Sequence, residues 1–252
     1  MAFGSDSFVK TGPAASLDMF EAEAEGLREL AAAKVIRVPE VYETGLDNGQ
    51  AFIAMEKLQL QRATGDVERR FGEQLAALHR CSGEQFGWHR DNTIGPTPQI
   101  NTRSDDWVSF FREHRLRYQL RLAGDNGYGG ELQDRGATLC ESLPQFFESY
   151  QPGASLLHGD LWGGNWGAVD GEPAIFDPAV YYGDRESDIA MTRLFGGFGK
   201  GFYDAYAAAW PMSPGYEQRC DLYQLYHVLN HLNLFGSGYL GQALSLLRDL
   251  GR

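Results

Sequence analysis

The spacing of apolar and polar positions divides the chain into two unequal parts. In the first part, Phe8-Val9-Lys10 reads as a short strand that Gly12-Pro13 breaks. The following MFEAEAEGLRELAAA, rich in Ala, Glu and Leu, predicts a helix with Asp18 as its cap. Val41 to Thr44 and Ala51 to Ala54 flank the turn signal Leu46-Asp47-Asn48-Gly49 and predict two strands. A polar transition, MEKLQLQ, closes this part. Beyond it the periodicity is helical. Val67, Phe71, Leu75 and Leu78 recur at close to one helical turn along Val67 to His79. Trp107, Phe110, Phe111, Leu116 and Leu120 predict one helix from Asp106 to Leu122. Further helices are expected over Leu132 to Tyr150, Arg185 to Leu194, Gly201 to Trp210, Tyr216 to Phe235 and Tyr239 to Leu250. WHRDNTIGPTPQINTRSDD reads as a turn-rich loop, and Pro173 to Phe176 as a short strand. The expected class is α+β: a small sheet-bearing lobe, residues 1–58, and a large, mainly helical lobe, residues 59–252, with a few short strands inserted.

Composition narrows the function. With 252 residues, 43% of them hydrophobic, the chain can bury a sizeable core. A net charge of −12 argues against nucleic acid as a partner, but allows a small anion held together with a metal ion. The three cysteines, Cys81, Cys140 and Cys220, form no C-x-x-C pair. That argues against a disulfide framework or a zinc ribbon and suits a reducing cytoplasm. No apolar run long enough to span a membrane occurs, and MAFGSDSFVK has no apolar signal core.

The chemistry concentrates in SLLHGDLWGGNWGAV. Asp160 follows His158-Gly159, Asn165 comes five residues later, and Asp177 ends the apolar strand Ala174-Ile175-Phe176. This is the order of a kinase-type catalytic loop followed by a metal-binding aspartate. Phosphoryl transfer to a hydroxyl needs a carboxylate at the acceptor oxygen, the role expected of Asp160. Mg²⁺ takes hard oxygen ligands, which Asn165 and Asp177 supply. Gly163 and Gly164 let the chain turn between Asp160 and Asn165. No G-x-S-x-G elbow supports a serine hydrolase. Such a site also needs a lysine on a small-lobe strand, paired with a glutamate on the next helix, to hold the ATP phosphates. Lys10 meets the first requirement, and Glu21, Glu23 and Glu25 are candidates for the second. His227 and His231 form H-x-x-x-H without the glutamate of a zinc protease, and read as packing or surface residues.

Taken together, FVK, MFEAEAEGL, FIAMEKL, FGWHRDNTIGPTPQIN, LLHGDLWGGNWG, AIFDPAVYYGDRESDIAMT and FYDAY resemble the fructosamine kinase (ketosamine-3-kinase) family. That family is a branch of the aminoglycoside phosphotransferase-like, protein-kinase-like fold. The resemblance covers nearly the whole chain. It implies ATP-dependent phosphorylation of the sugar 3-hydroxyl of a ketosamine, free or on a glycated protein, followed by breakdown that frees the amine. It implies Asp160 as the base, Asn165 and Asp177 as Mg²⁺ ligands, and Glu23 as the partner of Lys10. It also implies Glu56, Lys57 and Leu58 as the adenine hinge. Trp162 stands two residues after Asp160, where its ring can stack on a sugar. His89 and Asp91, in the WHRDN signature, are expected to shape the acceptor side or to brace the large lobe. Arg185 and Glu186 are expected in structural ion pairs.

One departure stands out. In kinase-like folds two strands and a glycine-rich turn precede the lysine, yet Lys10 lies ten residues from the start, and Gly4-Ser5-Asp6 is too short for them. The expectations are an exposed sheet edge open to pairing with another chain, and weakened ATP binding. The alternatives are a kinase for another small alcohol or an aminoglycoside-like acceptor, and an impaired relative that only binds nucleotide.

Overall fold

A computed structural model describes Gly4 and residues 6–251. Residues 1–3 and Ser5, part of the N-terminal reading above, lie outside the described residues, as does Arg252.

The small lobe is built from β1 (Ser7–Pro13), α1 (Leu17–Ala32), β2 (Val41–Asp47) and β3 (Gln50–Glu56). The sheet is antiparallel in the order β1-β3-β2. Asn48 and Gly49 both take left-handed backbone, φ 48° and 79°, as a two-residue hairpin turn requires. β3 is central and buried from Ala51 to Met55. On α1, Phe20, Ala24 and Leu27 are spaced to one face and pack on Ala51, Ile53 and Met55, giving the lobe a small core of its own. Two expectations fail here. β1 runs on through Gly12 and Pro13, which pair with Ala51 and Gln50. The proline is tolerated because β1 is paired on one side only among the described residues. Asp18 is not the cap either: α1 begins one residue before it, after Ser16.

The large lobe opens with α2 (Gly65–His79) and a hairpin, β4 (Asn92–Ile94) and β5 (Thr97–Gln99), inside the stretch read as a loop. Strands of three residues are too short for alternation to reveal them. The helix expected over Asp106 to Leu122 is three pieces: α3 (Trp107–Phe111), a π-turn over Arg112–Leu116, and α4 (Arg117–Asp125). The π-turn seats Arg115 in the core, its guanidinium 4.2 Å from the Tyr181 ring centroid, donating to Ile100 O at 2.6 Å and Asn101 Oδ1 at 2.8 Å. α5 (Glu131–Ser142) ends before the predicted helix does, in a short 3-10 turn over Leu143–Phe147.

Four short strands then frame two loops. β6 (Ser155–Leu157) pairs with β9 (Tyr181–Gly183), and β7 (Trp166–Val169) pairs with β8 (Glu172–Ile175). The loop from β6 to β7 holds residues 158–165, and the loop from β8 to β9 holds residues 176–180. Pairing both ends of one loop with both ends of the other brings Asp160 and Asp177 together. Helices α6 (Glu186–Leu194), α7 (Lys200–Ala209), α8 (Tyr216–Phe235) and α9 (Leu240–Leu250) complete the lobe, with Leu222, Leu225 and Leu229 of α8 fully buried. Glu186 pairs with Arg219 at 2.7 Å in the interior, and Arg185 lies 4.2 Å from the Trp210 ring centroid. Among the described residues no helix is long and apolar enough to cross a membrane.

Candidate active site

A cleft of about 530 Å³ lies between the lobes, and Lys10, Glu23, Asp160, Trp162, Asn165 and Asp177 all line it. Lys10, on β1, places Nζ 2.7 Å from Glu23 Oε1 on α1 and 2.7 Å from Asp177 Oδ1. Burial opposes its charge, but the two carboxylates outweigh burial and raise the ammonium pKa. The pKa of Glu23 is also raised, because burial outweighs Lys10 there. Glu21 and Glu25 make no contact with Lys10 that competes with Glu23.

The Asp160 loop is held from below. His158 is fully buried, and its Nε2 donates to Phe176 O at 3.0 Å while Nδ1 accepts the Asp160 N–H at 3.3 Å. Burial holds its pKa down, so it is a neutral ring joining the two loops. Asp188, on α6, accepts the N–H groups of His158 (2.8 Å) and Gly159 (2.9 Å) and meets His79 Nε2 at 3.2 Å. His79 Nδ1 in turn meets Tyr206 Oη at 2.8 Å. Burial would raise the pKa of Asp188, yet the His79 contact and the backbone donors hold it below the usual range. Gly159 has φ 83°, and a side chain there would collide with the Ala179 carbonyl.

Asn165 closes the loop. Its Nδ2 donates to Asp160 O (2.9 Å), Asp160 Oδ2 (3.3 Å) and Asp177 O (3.4 Å), leaving Oδ1 as the atom to offer a cation. Desolvation, the Asp188 charge and the Asp177 charge push the Asp160 carboxyl up to about 7, against the Asn165 hydrogen bond. Asp177 has φ 56°, a left-handed backbone that is strained for a non-glycine residue. Gly163 lies against Gly196 and Gly197, and Gly164 lies under the Trp162 ring, where side chains would collide. Trp162 itself remains 40% exposed at the cleft mouth.

Glu56, Lys57 and Leu58, the residues expected at the adenine, line a separate, smaller pocket of about 260 Å³ that adjoins the cleft at Asp177. Phe8, Met55, Glu56, Lys57, Leu58, Leu60 and Phe176 form its mostly apolar walls. The Glu56 side chain is taken by Arg37 at 2.5 Å, and the N–H groups of Glu56 and Lys57 donate to Glu40 O and Asp6 O.

His89 and Asp91 are not brought into the cleft. His89 Nε2 contacts Glu25 Oε2 on α1 at 2.7 Å, and Asp91 Oδ1 accepts the Asn101 N–H at 2.7 Å. Of the two roles expected for them, their side-chain contacts match bracing and not the acceptor side. The same loop reaches the cleft further on, through Asn92 to Pro96. Sequence reading also missed the opposite wall, made by Asn230, His231, Leu234 and Phe235 of α8. The pattern there predicts only a helix, with His231 as a packing or surface residue, and Phe235 is two-thirds exposed. His227 is buried and His231 Nδ1 lies 2.8 Å from the His227 carbonyl, and among the described residues no cluster of three His, Cys, Asp or Glu could hold a metal alone. Asp188 was missed as well; its DRESD context marked it only as charged.

A small antiparallel sheet whose Lys10 pairs with Glu23 of the adjoining helix, set over a helical lobe whose framed loops present Asp160, Asn165 and Asp177, defines a phosphotransferase of the protein-kinase-like class. The family model for fructosamine kinase matches residues 2–252, and the chain belongs to that family. A provisionally named ketoamine kinase of Synechocystis sp. is 49% identical over 245 residues, covering 96% of this chain and 82% of that protein. The chloroplastic protein-ribulosamine 3-kinase of Arabidopsis thaliana is 45% identical over 247 residues, covering 96% of this chain and 75% of the relative. Among solved structures, a Haemophilus somnus 129PT protein with a provisional fructosamine-3-kinase name superposes with a TM-score of 0.90 at 32% identity, covering 98% of this chain and 84% of the other.

Proposed function

We propose that this chain transfers the γ-phosphoryl group of ATP to the sugar 3-hydroxyl of ketosamines, in the deglycation of amines or proteins. The observation that carries this reading is the convergence of Asp160, Asn165, Asp177, Lys10 and Trp162 on one cleft, with Asn165 Nδ2 bonded to the Asp160 carboxylate at 3.3 Å. Family membership and relatives named for ketoamine and protein-ribulosamine phosphorylation support the acceptor class. The lobes of residues 1–58 and 59–252 close on the nucleotide and the acceptor respectively.

Each residue has a physical task. The sugar hydroxyl gives its proton to the Asp160 carboxylate as its oxygen bonds to the γ-phosphorus. The bond from that phosphorus to the β–γ bridging oxygen breaks, and the electron pair leaves with ADP. A base with a pKa near neutrality suits the proton transfer. The Asn165 amide holds the carboxylate in place from Oδ2. Lys10, kept charged by Glu23, is the cation for the phosphates, and its present bond to Asp177 is the one the phosphates would replace. Asn165 Oδ1 and the half-exposed Asp177 carboxylate suit Mg²⁺, which keeps few protein ligands and completes its shell with phosphate oxygens and water. When bound, Mg²⁺ supplies positive charge against the charge that develops on the transferred group. In the smaller pocket, the Glu56 carbonyl and the Leu58 N–H face adenine, because the Lys57 N–H is already taken. The Trp162 ring and the α8 wall take the sugar and its amine.

Incubation with Mg²⁺, ATP and a fructosyl-amine is expected to release ADP and yield a 3-phosphorylated sugar, located by NMR. Nucleotide binding without ADP release, or undiminished release by Asp160→Ala, would overturn the assignment.

A further inference from the structure

The WHRDN signature was left without a chemical task once His89 and Asp91 proved to lie outside the cleft. The side chains of two of its residues, His89 and Arg90, lead to α1. Arg90 Nη1 donates to Glu25 Oε1 at 2.6 Å, and Nη2 donates to Asp18 Oδ1 at 2.6 Å and Asp18 O at 3.3 Å. His89 adds its contact with Glu25 at 2.7 Å. Further along α1, Glu29 Oε1 accepts the Tyr182 hydroxyl at 2.7 Å. Asp18, Glu25 and Glu29 are spaced by seven and four residues, so they share one face of the helix. Gly26 sits within that face, where an added methyl group would press on Val180 at 3.1 Å. The other face of α1 carries Phe20, Ala24 and Leu27 into the small core.

The Arg90 loop is fixed in turn. Asn101 donates from its backbone to Asp91 and from Nδ2 to Arg90 O, and buried Arg115 holds Asn101. Asn92 Nδ2 donates to Val180 O at 2.8 Å, three residues past Asp177. The strut therefore runs from α1, which carries Glu23, to the segment that carries Asp177, and Lys10 bridges those two carboxylates.

In protein kinases a long segment after the metal-binding aspartate controls the glutamate-bearing helix. Here only residues 178–185 separate Asp177 from α6, and β9 occupies three of them. We propose that Arg90, supported by His89, is a positioning residue that clamps α1 to the large lobe and so holds Glu23 against Lys10, without a switchable segment. The pKa of Glu25 accords with this: burial acts to raise it, and the His89 and Arg90 bonds outweigh burial and lower it.

The proposal rests on the kinase reading for its catalytic readout but not for its binding readout. Affinity for Mg²⁺–ATP by calorimetry, KM for ATP, KM for a fructosyl-amine and kcat would be measured for Arg90→Ala, Arg90→Lys and Glu25→Gln. Arg90→Ala is expected to weaken ATP binding about tenfold and leave the acceptor KM unchanged, with Arg90→Lys recovering part of the loss. In a Lys10→Ala background the Arg90→Ala change is expected to add nothing, because both act on one linkage. Equal losses in both backgrounds, or a shift confined to the acceptor KM, would overturn the clamp. If Arg90→Ala does not fold, the same cycle with Glu25→Gln decides it. Arg90-dependent ATP binding in a protein that never phosphorylates ketosamines would leave the clamp standing and reject the acceptor assignment.

Discussion

The two sides of the cleft are held by different physics. The Asp160 loop sits on the large core and is secured by buried hydrogen bonds: His158 to Phe176, and Asp188 to two backbone N–H groups and His79. Among the described residues the Lys10 side rests on a core of six buried residues, and it is secured by ion pairs, of which Lys10–Glu23 is mostly buried while those of Asp177 and Glu25 reach solvent. Buried hydrogen bonds in low dielectric fix atoms firmly, whereas exposed ion pairs are weaker and screened by salt. The atoms proposed to handle the proton are thus set once by the fold. The cation proposed for the phosphates can trade Asp177 for its ligand.

Three substitutions test that contrast, beginning with the largest effect. Asp160→Asn is expected to lower kcat by about a thousandfold while calorimetric ATP affinity holds. The wild-type rate should also fall about tenfold per pH unit below about 7, as the Asp160 carboxylate protonates. The stability sign is opposite. The folded-state pKa is raised, so the folded chain binds this proton more tightly, and stability declines as pH rises from the usual carboxyl value to about 7. Asp160→Asn should therefore melt above wild type at pH 8, by on the order of a few kcal/mol, and level with it near pH 4. A lower melting temperature at pH 8 would mean that the carboxylate is not held under burial strain.

Asp188→Asn comes next and is expected to act on stability first. An amide cannot accept from two N–H groups and His79 as a carboxylate does, so the change should cost about 3 kcal/mol and lower Tm by about 6–12 °C. A Tm within a degree of wild type would show that the loop is not hung on this residue. The smallest effect is expected from Glu23→Gln on the opposite side: unchanged Tm, and an ATP KM raised several-fold and more steeply dependent on salt. A large loss of stability there would erase the contrast between the two sides.

The sequence carried the chemistry further than the geometry. The spacing of His158, Asp160, Asn165 and Asp177 was legible because it lies in two adjacent loops, whose lengths are set by the chain itself. The hydrophobic period of α2 and the Asn48-Gly49 turn were legible for the same reason: each depends on neighbours in sequence. Choosing Glu23 over Glu21 and Glu25 needed the family pattern, since all three share one helix.

What the sequence determined by itself was a set of residue types at local spacings, enough to name a phosphoryl-transfer loop and its strand lysine. The tertiary structure decided which distant groups meet. Asp188 reaches back about thirty residues to the Asp160 loop, Arg90 reaches 65 residues to Glu25, and Tyr182 reaches 153 to Glu29. Those pairings depend on how α1, α6 and the β4–β5 hairpin pack in space, and hydrophobic periodicity records which face of an element is buried but not which element covers it. For that reason the sequence left His89 between an acceptor role and a brace, and only the packing of α1 shows its contact with Glu25, while Asp188, which holds the loop, passed as one more charge.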